Sequence, residues 1–254
     1  ELMRNQQARW RQLRGELREN GIAVIDSGEL TGTEKNWLDS YFLDQIFPVL
    51  TPMAVDPAHP FPFMPNQGFA LALELRRAAD GRMMRALLPL PSQLPRFIRL
   101  PGNDPKNVRF LTLEDMAGLY LDRLFPQFEV ISKGHFRLIR DSEIEIMEEA
   151  EDLVRHFESA LKQRRRGTVI RLKANADMPD DLLAFVIDEL DAERSDVFSL
   201  DGLIGLASTS KLIIDERPDL KFQPFNPRFP ERIRDSGGDC FAAIRHKDIV
   251  VHHP

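Results

Sequence analysis

Gly68-Phe69-Ala70-Leu71-Ala72-Leu73-Glu74-Leu75-Arg76, then Asp80-Gly81, then Met83-Met84-Arg85-Ala86-Leu87-Leu88-Pro89-Leu90 is the stretch on which the fold turns. Two short apolar runs flank an Asp-Gly pair, and that pair favours the positive φ angles of a tight turn. The stretch reads as an antiparallel hairpin. Neither run approaches the length needed to cross a bilayer.

Upstream of the hairpin, residues 51–66 carry Pro52, Pro57, Pro60, Pro62 and Pro65. Each proline fixes its own φ and turns its predecessor away from helix, which predicts a stiff extended loop. Before it, Thr33 is expected to cap a helix bearing Trp37, Tyr41, Phe42 and Ile46 on one face, ended by Pro48. Residues 22–25 read as a short strand. Residues 1–20 read as a helix with a narrow stripe of Trp10, Leu13 and Leu17, stopped at Gly21. So narrow a stripe suits membership of a bundle whose other helices precede Glu1.

Downstream, Thr112 opens a helix carrying Met116, Leu119, Tyr120 and Leu124, and residues 128–140 hold one or two strands around Lys133-Gly134. Residues 142–166 give the clearest helical pattern, with a Ser142/Glu145 capping box and a stripe of Ile146, Ala150, Leu153, Val154, Phe157 and Leu161. Residues 168–173 and 197–200 read as strands, and 179–190 as a helix with Pro179 near its first position. The short apolar segment 206–214 fits no period. Proline-rich 218–230 reads as a linker, 240–245 as helix and 248–251 as a last strand. Strands and helices interleave without a βαβ rhythm, so the expected class is α+β: a mixed sheet packed with helices. A lone helix at the start and a lone strand at the end predict a piece of a longer chain.

The 254 residues carry 34 Lys and Arg against 40 Asp and Glu, a net charge of −6. That sign disfavours bulk electrostatic binding of nucleic acid. A single cysteine, Cys240, excludes an internal disulfide and suits a reducing compartment, so the cytoplasm is expected. Residues 1–4 do not open the apolar run of a secretion signal. Glycine-rich phosphate loops, dinucleotide turns, nucleophile elbows and Cys-x-x-Cys pairs do not occur.

Several basic or histidine-bearing segments invite a chemical reading. His246-Lys247-Asp248 has the letters of a phospholipase-D-type signature, but contiguous residues cannot share a strand face as that signature requires, so a solvated turn is expected. His252 and His253, adjacent on a strand, would point to opposite faces and not share one metal ion. Lys162-Gln163-Arg164-Arg165-Arg166 reads as a helix end dressed with cations. Arg137 and Arg140 are either phosphate contacts facing a cleft or partners of Glu143 and Glu145.

The run Phe47-Pro48-Val49-Leu50-Thr51-Pro52-Met53-Ala54-Val55-Asp56-Pro57-Ala58-His59-Pro60-Phe61-Pro62-Phe63 resembles the most recognisable segment of type 1 polyphosphate kinases. Leu94-Pro95-Arg96-Phe97-Ile98, Phe136-Arg137-Leu138-Ile139-Arg140-Asp141, Glu151-Asp152-Leu153 and Val169-Ile170-Arg171-Leu172 agree in order. Residues 244–254 resemble the start of that family's catalytic half. The resemblance implies one helix of an all-α N-terminal domain at 1–21, a middle or head domain at 22–235, and the start of the first phospholipase-D-like domain at 236–254. It implies a parent enzyme that moves the terminal phosphate of ATP reversibly onto polyphosphate, through a phosphohistidine and with Mg²⁺. ATP, ADP and polyphosphate would be its ligands, and a homo-oligomer its assembly. The catalytic, nucleotide and metal residues would lie outside this chain, leaving a scaffold and subunit-contact segment; Arg245 is the one phosphate contact singled out. Within the proline loop, Phe61, Phe63 and Met64 are either interface anchors or core residues. The competing reading is a self-standing, non-catalytic module that binds a partner or polyphosphate.

Overall fold

The computed structural model describes residues 1–102, 104, 106–141, 167–224, 226 and 229–250. The expected helix at 142–166, with its basic end, and the pair His252-His253 lie outside the described residues. Two compact units divide the chain, Glu1–Ile214 and Asp215–Pro254.

The first unit is built on two sheets. The larger has the order β2 (Met53–Val55), β4 (Met83–Pro89), β3 (Phe69–Arg77), β7 (Phe128–Arg140), β8 (Val169–Asn175), β9 (Val197–Leu200). All its pairs are antiparallel except β8 with β9. The Asp-Gly hairpin is β3–β4, in register from Ala70↔Pro89 to Arg76↔Met83, with Gly81 at φ 71°. The smaller sheet runs β1 (Ile22–Ile25), β6 (Val108–Thr112), β5 (Phe97–Arg99), parallel then antiparallel.

Helix α1 (Leu2–Glu19) lays Trp10 on Ile22, Val24, Phe97, Val108 and Phe110 of the small sheet. Only Trp10 and Gln7 of α1 are fully buried; of the expected stripe Leu17 is half-buried and Leu13 is exposed, so the buried stripe is narrower than Trp10, Leu13 and Leu17. Helix α2 (Gly32–Tyr41) starts two residues earlier than expected: Thr31, not Thr33, is the cap. Thr31 is the residue with glutamate at the required spacing. Its hydroxyl accepts from Glu34 N–H at 3.3 Å while the Glu34 carboxylate accepts from Thr31 N–H at 2.8 Å. The chain continues through a π turn, Phe42–Ile46, into a 3-10 turn, Phe47–Val49, that includes Pro48. Phe42 and Ile46 are wholly buried with Leu38.

Residues 51–66 are not loop throughout. Met53–Val55 pairs with β4 as an edge strand, a place where neighbouring prolines cost no ladder bond. Asp56 then closes a tight turn, its carboxylate accepting from the Ala58 and His59 N–H groups. Residues 113–124 form not one helix but two short ones, α3 (Leu113–Leu119) and α4 (Leu121–Leu124), broken at Tyr120. The break lets Tyr120 stack on Phe42 at 4.3 Å. Residues 128–140 form a single thirteen-residue strand. Pro179 is the N-cap of α5 (Asp180–Leu190) rather than its first turn. Residues 206–212 are a 3-10 run whose Leu212 joins the Trp10 cluster. A core of Leu38, Phe42, Leu71, Leu73, Leu88, Ile98 and Leu111 fills the space among α2, α3, α4 and the two sheets. Leu182, Phe185 and Val186 of α5 cover the other face of the large sheet.

In the second unit, α6 (Glu231–Asp235) ends in Gly237-Gly238, both at positive φ, and Asp239 caps α7 (Cys240–His246) through the Phe241 and Ala242 N–H groups. Asp248–Val250 form no strand, because no paired neighbour accompanies them among the described residues.

Candidate functional site

Strand alternation gives the large sheet two unlike faces. Register pairs Ala70 with Phe136 and Phe136 with Ala174, and these three are fully buried toward α5. One residue along, Phe69 pairs with Arg137 and Arg137 with Lys173. That second row places two cations side by side on the opposite face. Lys133 and His135 of β7 and Arg171 of β8 have the same parity.

Arg137 lines a cavity of about 530 Å³ whose wall comes from residues 64–69, 89–94, Arg96, Leu113 and Ser208. Aspartate and glutamate are absent from that lining. One Arg137 Nη donates to the Gln67 amide oxygen at 3.1 Å, and among the described residues the guanidinium has no carboxylate partner. Gln67 is held at φ 62°, an unusual backbone for a non-glycine residue, immediately before Gly68. Arg96 reaches the same cavity from the start of β5. Its Nε and Nη2 donate to Glu114 and its Nη1 donates to the Gly205 carbonyl at 3.1 Å. Its guanidinium lies over the Phe69 ring at 4.7 Å.

Gly205 shows how crowded the two cations are. At φ 74°, a Cβ there would sit 2.1 Å from one Arg137 Nη and 3.1 Å from Arg96 Nη1. The two nitrogens are therefore no further apart than those two distances together. Burial first, then the charge of Arg96, pushes the Arg137 pKa below its ordinary value; a guanidinium remains a cation at neutral pH nonetheless. Burial, then Arg171 and Arg137, lowers Lys173 in the same way. His135 is driven to about 4 by burial and stays neutral.

Arg140 has a different occupation. After the register shift at Ile139/Arg140, its Nε donates to the Met64 carbonyl at 2.9 Å and its Nη1 to the Gly167 carbonyl at 2.8 Å. It pins the proline loop to the sheet. Met64 is buried beneath that loop, and Phe61 packs edge-on against Phe185 at 5.9 Å. Phe63 alone of the three stays exposed, at 53%, beneath the Arg140 guanidinium.

In the second unit Arg245 is exposed on the last turn of α7. His246 ends that helix, and Lys247 and Asp248 are exposed after it. Sequence reasoning singled out Arg137 and missed Arg96 and Gln67, for which no spacing rule exists. Among the described residues, no group of three or more His, Cys, Asp or Glu side chains is placed to hold a metal ion. No helix among them is long and apolar enough to cross a membrane.

The family model of the polyphosphate kinase middle domain matches residues 33–212. A polyphosphate kinase of Erythrobacter litoralis is 44% identical over all 254 residues, which make up 35% of that protein. Polyphosphate kinase 1 of Chlorobaculum tepidum is 38% identical over 244 residues, 94% of this chain and 35% of the relative. The crystal structure of polyphosphate kinase from Porphyromonas gingivalis superposes with a TM-score of 0.75, covering 96% of this chain and 35% of that one at 24% identity, a likeness of fold. The chain thus spans about a third of the length of these relatives, and it belongs to the polyphosphate kinase family.

Proposed function

We propose that the chain is the scaffold and subunit-contact segment of a polyphosphate kinase, the parent enzyme transferring the terminal phosphate of ATP reversibly onto inorganic polyphosphate. The observation that carries the reading is the match of a middle-domain family model to residues 33–212, with relatives that extend over the whole chain. In the parent enzyme the phosphohistidine, the Mg²⁺ ligands and the ATP contacts belong to other segments, and the work of this one is to hold them in place and join copies. Residues 1–21 close a preceding helical domain, 22–235 form the middle domain, and 236–254 open the next, where Arg245 meets phosphate. The assembly is a cytoplasmic homo-oligomer without nucleic acid.

Purified chain 1–254, given Mg-ATP and a polyphosphate primer, is expected to show no chain growth, while the full-length protein elongates the primer. Growth above the buffer level by the segment alone would overturn the reading. A second reading, a non-catalytic polyphosphate-binding module, is favoured by the Arg96–Arg137 cluster. It predicts that the full-length protein also lacks turnover.

A further inference from the structure

We propose that the cavity between residues 64–69, 89–96 and Ser208 is a binding site for a phosphate oxyanion, gripped by Arg137 and Arg96. Five N–H groups project from a guanidinium, and the described structure uses one of those on Arg137, for Gln67. Its remaining donors face a lining without a carboxylate. Arg96 is held still by Glu114 and by the Gly205 carbonyl, so it presents its outer N–H groups without further ordering. The free N–H groups of Arg137, beside the N–H groups that Arg96 does not spend on Glu114 and Gly205, match the tetrahedral, multiply accepting shape of phosphate.

Electrostatics point the same way. Glu114 balances the charge of Arg96, but Arg137, half-buried beside it and near Lys173, has no carboxylate of its own among the described residues, and an anion in the cavity would relieve that. Such a cluster stands out in a chain of net charge −6. A second cavity, of about 690 Å³, shows the ordinary arrangement: Arg77, Arg82 and Arg85 line it together with Asp56, Glu74 and Glu189. Arg140, spent on two backbone carbonyls, shows the other ordinary use of an arginine here. Arg137 fits neither pattern. A volume of about 530 Å³ lies in the range of small-ligand sites, roughly 300–1,000 Å³. Free phosphate, the end of a polyphosphate chain and the phosphates of a nucleotide share this chemistry. The inference stands on the cavity itself and asks no catalysis of the segment, so it can fail while the proposed function holds, and the reverse.

The test is hydrogen exchange in the full-length protein, read on peptides covering 64–69 and 89–96. Inorganic phosphate, tripolyphosphate and ATP are titrated separately against potassium chloride of equal ionic strength. At least one phosphate arm is expected to slow exchange in both peptides, and the arm saturating at the lowest concentration names the source. Arg137→Gln should weaken that protection about tenfold or more, as loss of a charge-assisted contact does. Arg137→Lys, which keeps the charge and loses the fork, should weaken it less. The site is refuted if no phosphate arm protects, if chloride protects equally, or if Arg137→Gln protects like wild type. Should Arg137→Gln not fold, Arg137→Lys decides: severalfold weaker protection supports the site, and undiminished protection removes it.

Discussion

The two faces of the large sheet are built from the same strands yet obey different rules. Toward α5, Ala70, Ala72, Phe136, Leu138, Leu172 and Ala174 pack with Met64, Leu182 and Val186. Every group there is apolar, and its register follows from a period-two pattern that a one-residue slip would invert. On the other face, Leu71 and Leu73 are equally dry where α2 and α3 cover them, but Arg137 one strand away and Lys173 and Arg171 two strands away take the same parity. The difference teaches that one sheet can devote a face to cohesion at one end and to charge at the other. Strand register, more than local composition, decides which residues meet.

Truncating the apolar face should have the largest effect. Phe136→Ala, at a fully buried position, is expected to cost about 3–5 kcal/mol in urea unfolding of the full-length protein. A loss below 1 kcal/mol would mean that the face repacks and the contrast is false.

Next comes acidity, which should reach the charged face through His135. His135 titrates near 4 in the folded protein against about 6.5 when unfolded, so the unfolded chain binds the extra proton between those values. Its contribution to stability is complete above pH 6.5 and is lost as pH falls toward 4, with a slope of at most roughly 1.4 kcal/mol per pH unit. Melting temperatures from pH 7 to 4 should decline less steeply for His135→Gln than for wild type. Parallel curves would show that other groups set the dependence.

The proline loop supplies the finest comparison. Phe61→Ser removes the ring seated on Phe185 and should cost a few kcal/mol. Phe63→Ser, at an exposed ring, should change stability by about 0.5 kcal/mol or less. If Phe63 is a subunit anchor, light scattering of Phe63→Ser will show a smaller assembly at unchanged melting temperature. An unchanged mass removes Phe63 from the contact.

Much of this architecture is legible in the residues. The hairpin, the strands Ile22–Ile25 and Val197–Leu200 and the first helix follow from periodicity and turn chemistry alone. The losses have physical causes. Edge strand Met53–Val55 is three residues long among prolines, too short for an alternation to register. Tyr120 splits a helix for the sake of a ring stack that no local signal announces. At the cavity, Arg137 carries its own hint, whereas Arg96 arrives from a different sheet and Gln67 through an unusual backbone angle. Arg137 and Arg140 look alike in the sequence; a register shift between Ile139 and Arg140 gives them separate tasks.

Helix α1 has a mechanical consequence. Trp10, near the beginning of the first unit, shares one cluster with Leu212 and Ile214 at its close. Gln7 donates to the Leu203 carbonyl at 3.0 Å, and Arg11 pairs with Asp201 at 2.9 Å. These contacts make a clasp. Tension applied across residues 7 and 214 loads the clasp before it reaches any ladder of the large sheet. Under a pulling force, the unit should therefore yield in two stages, a low-force release of α1 and then rupture of the sheet.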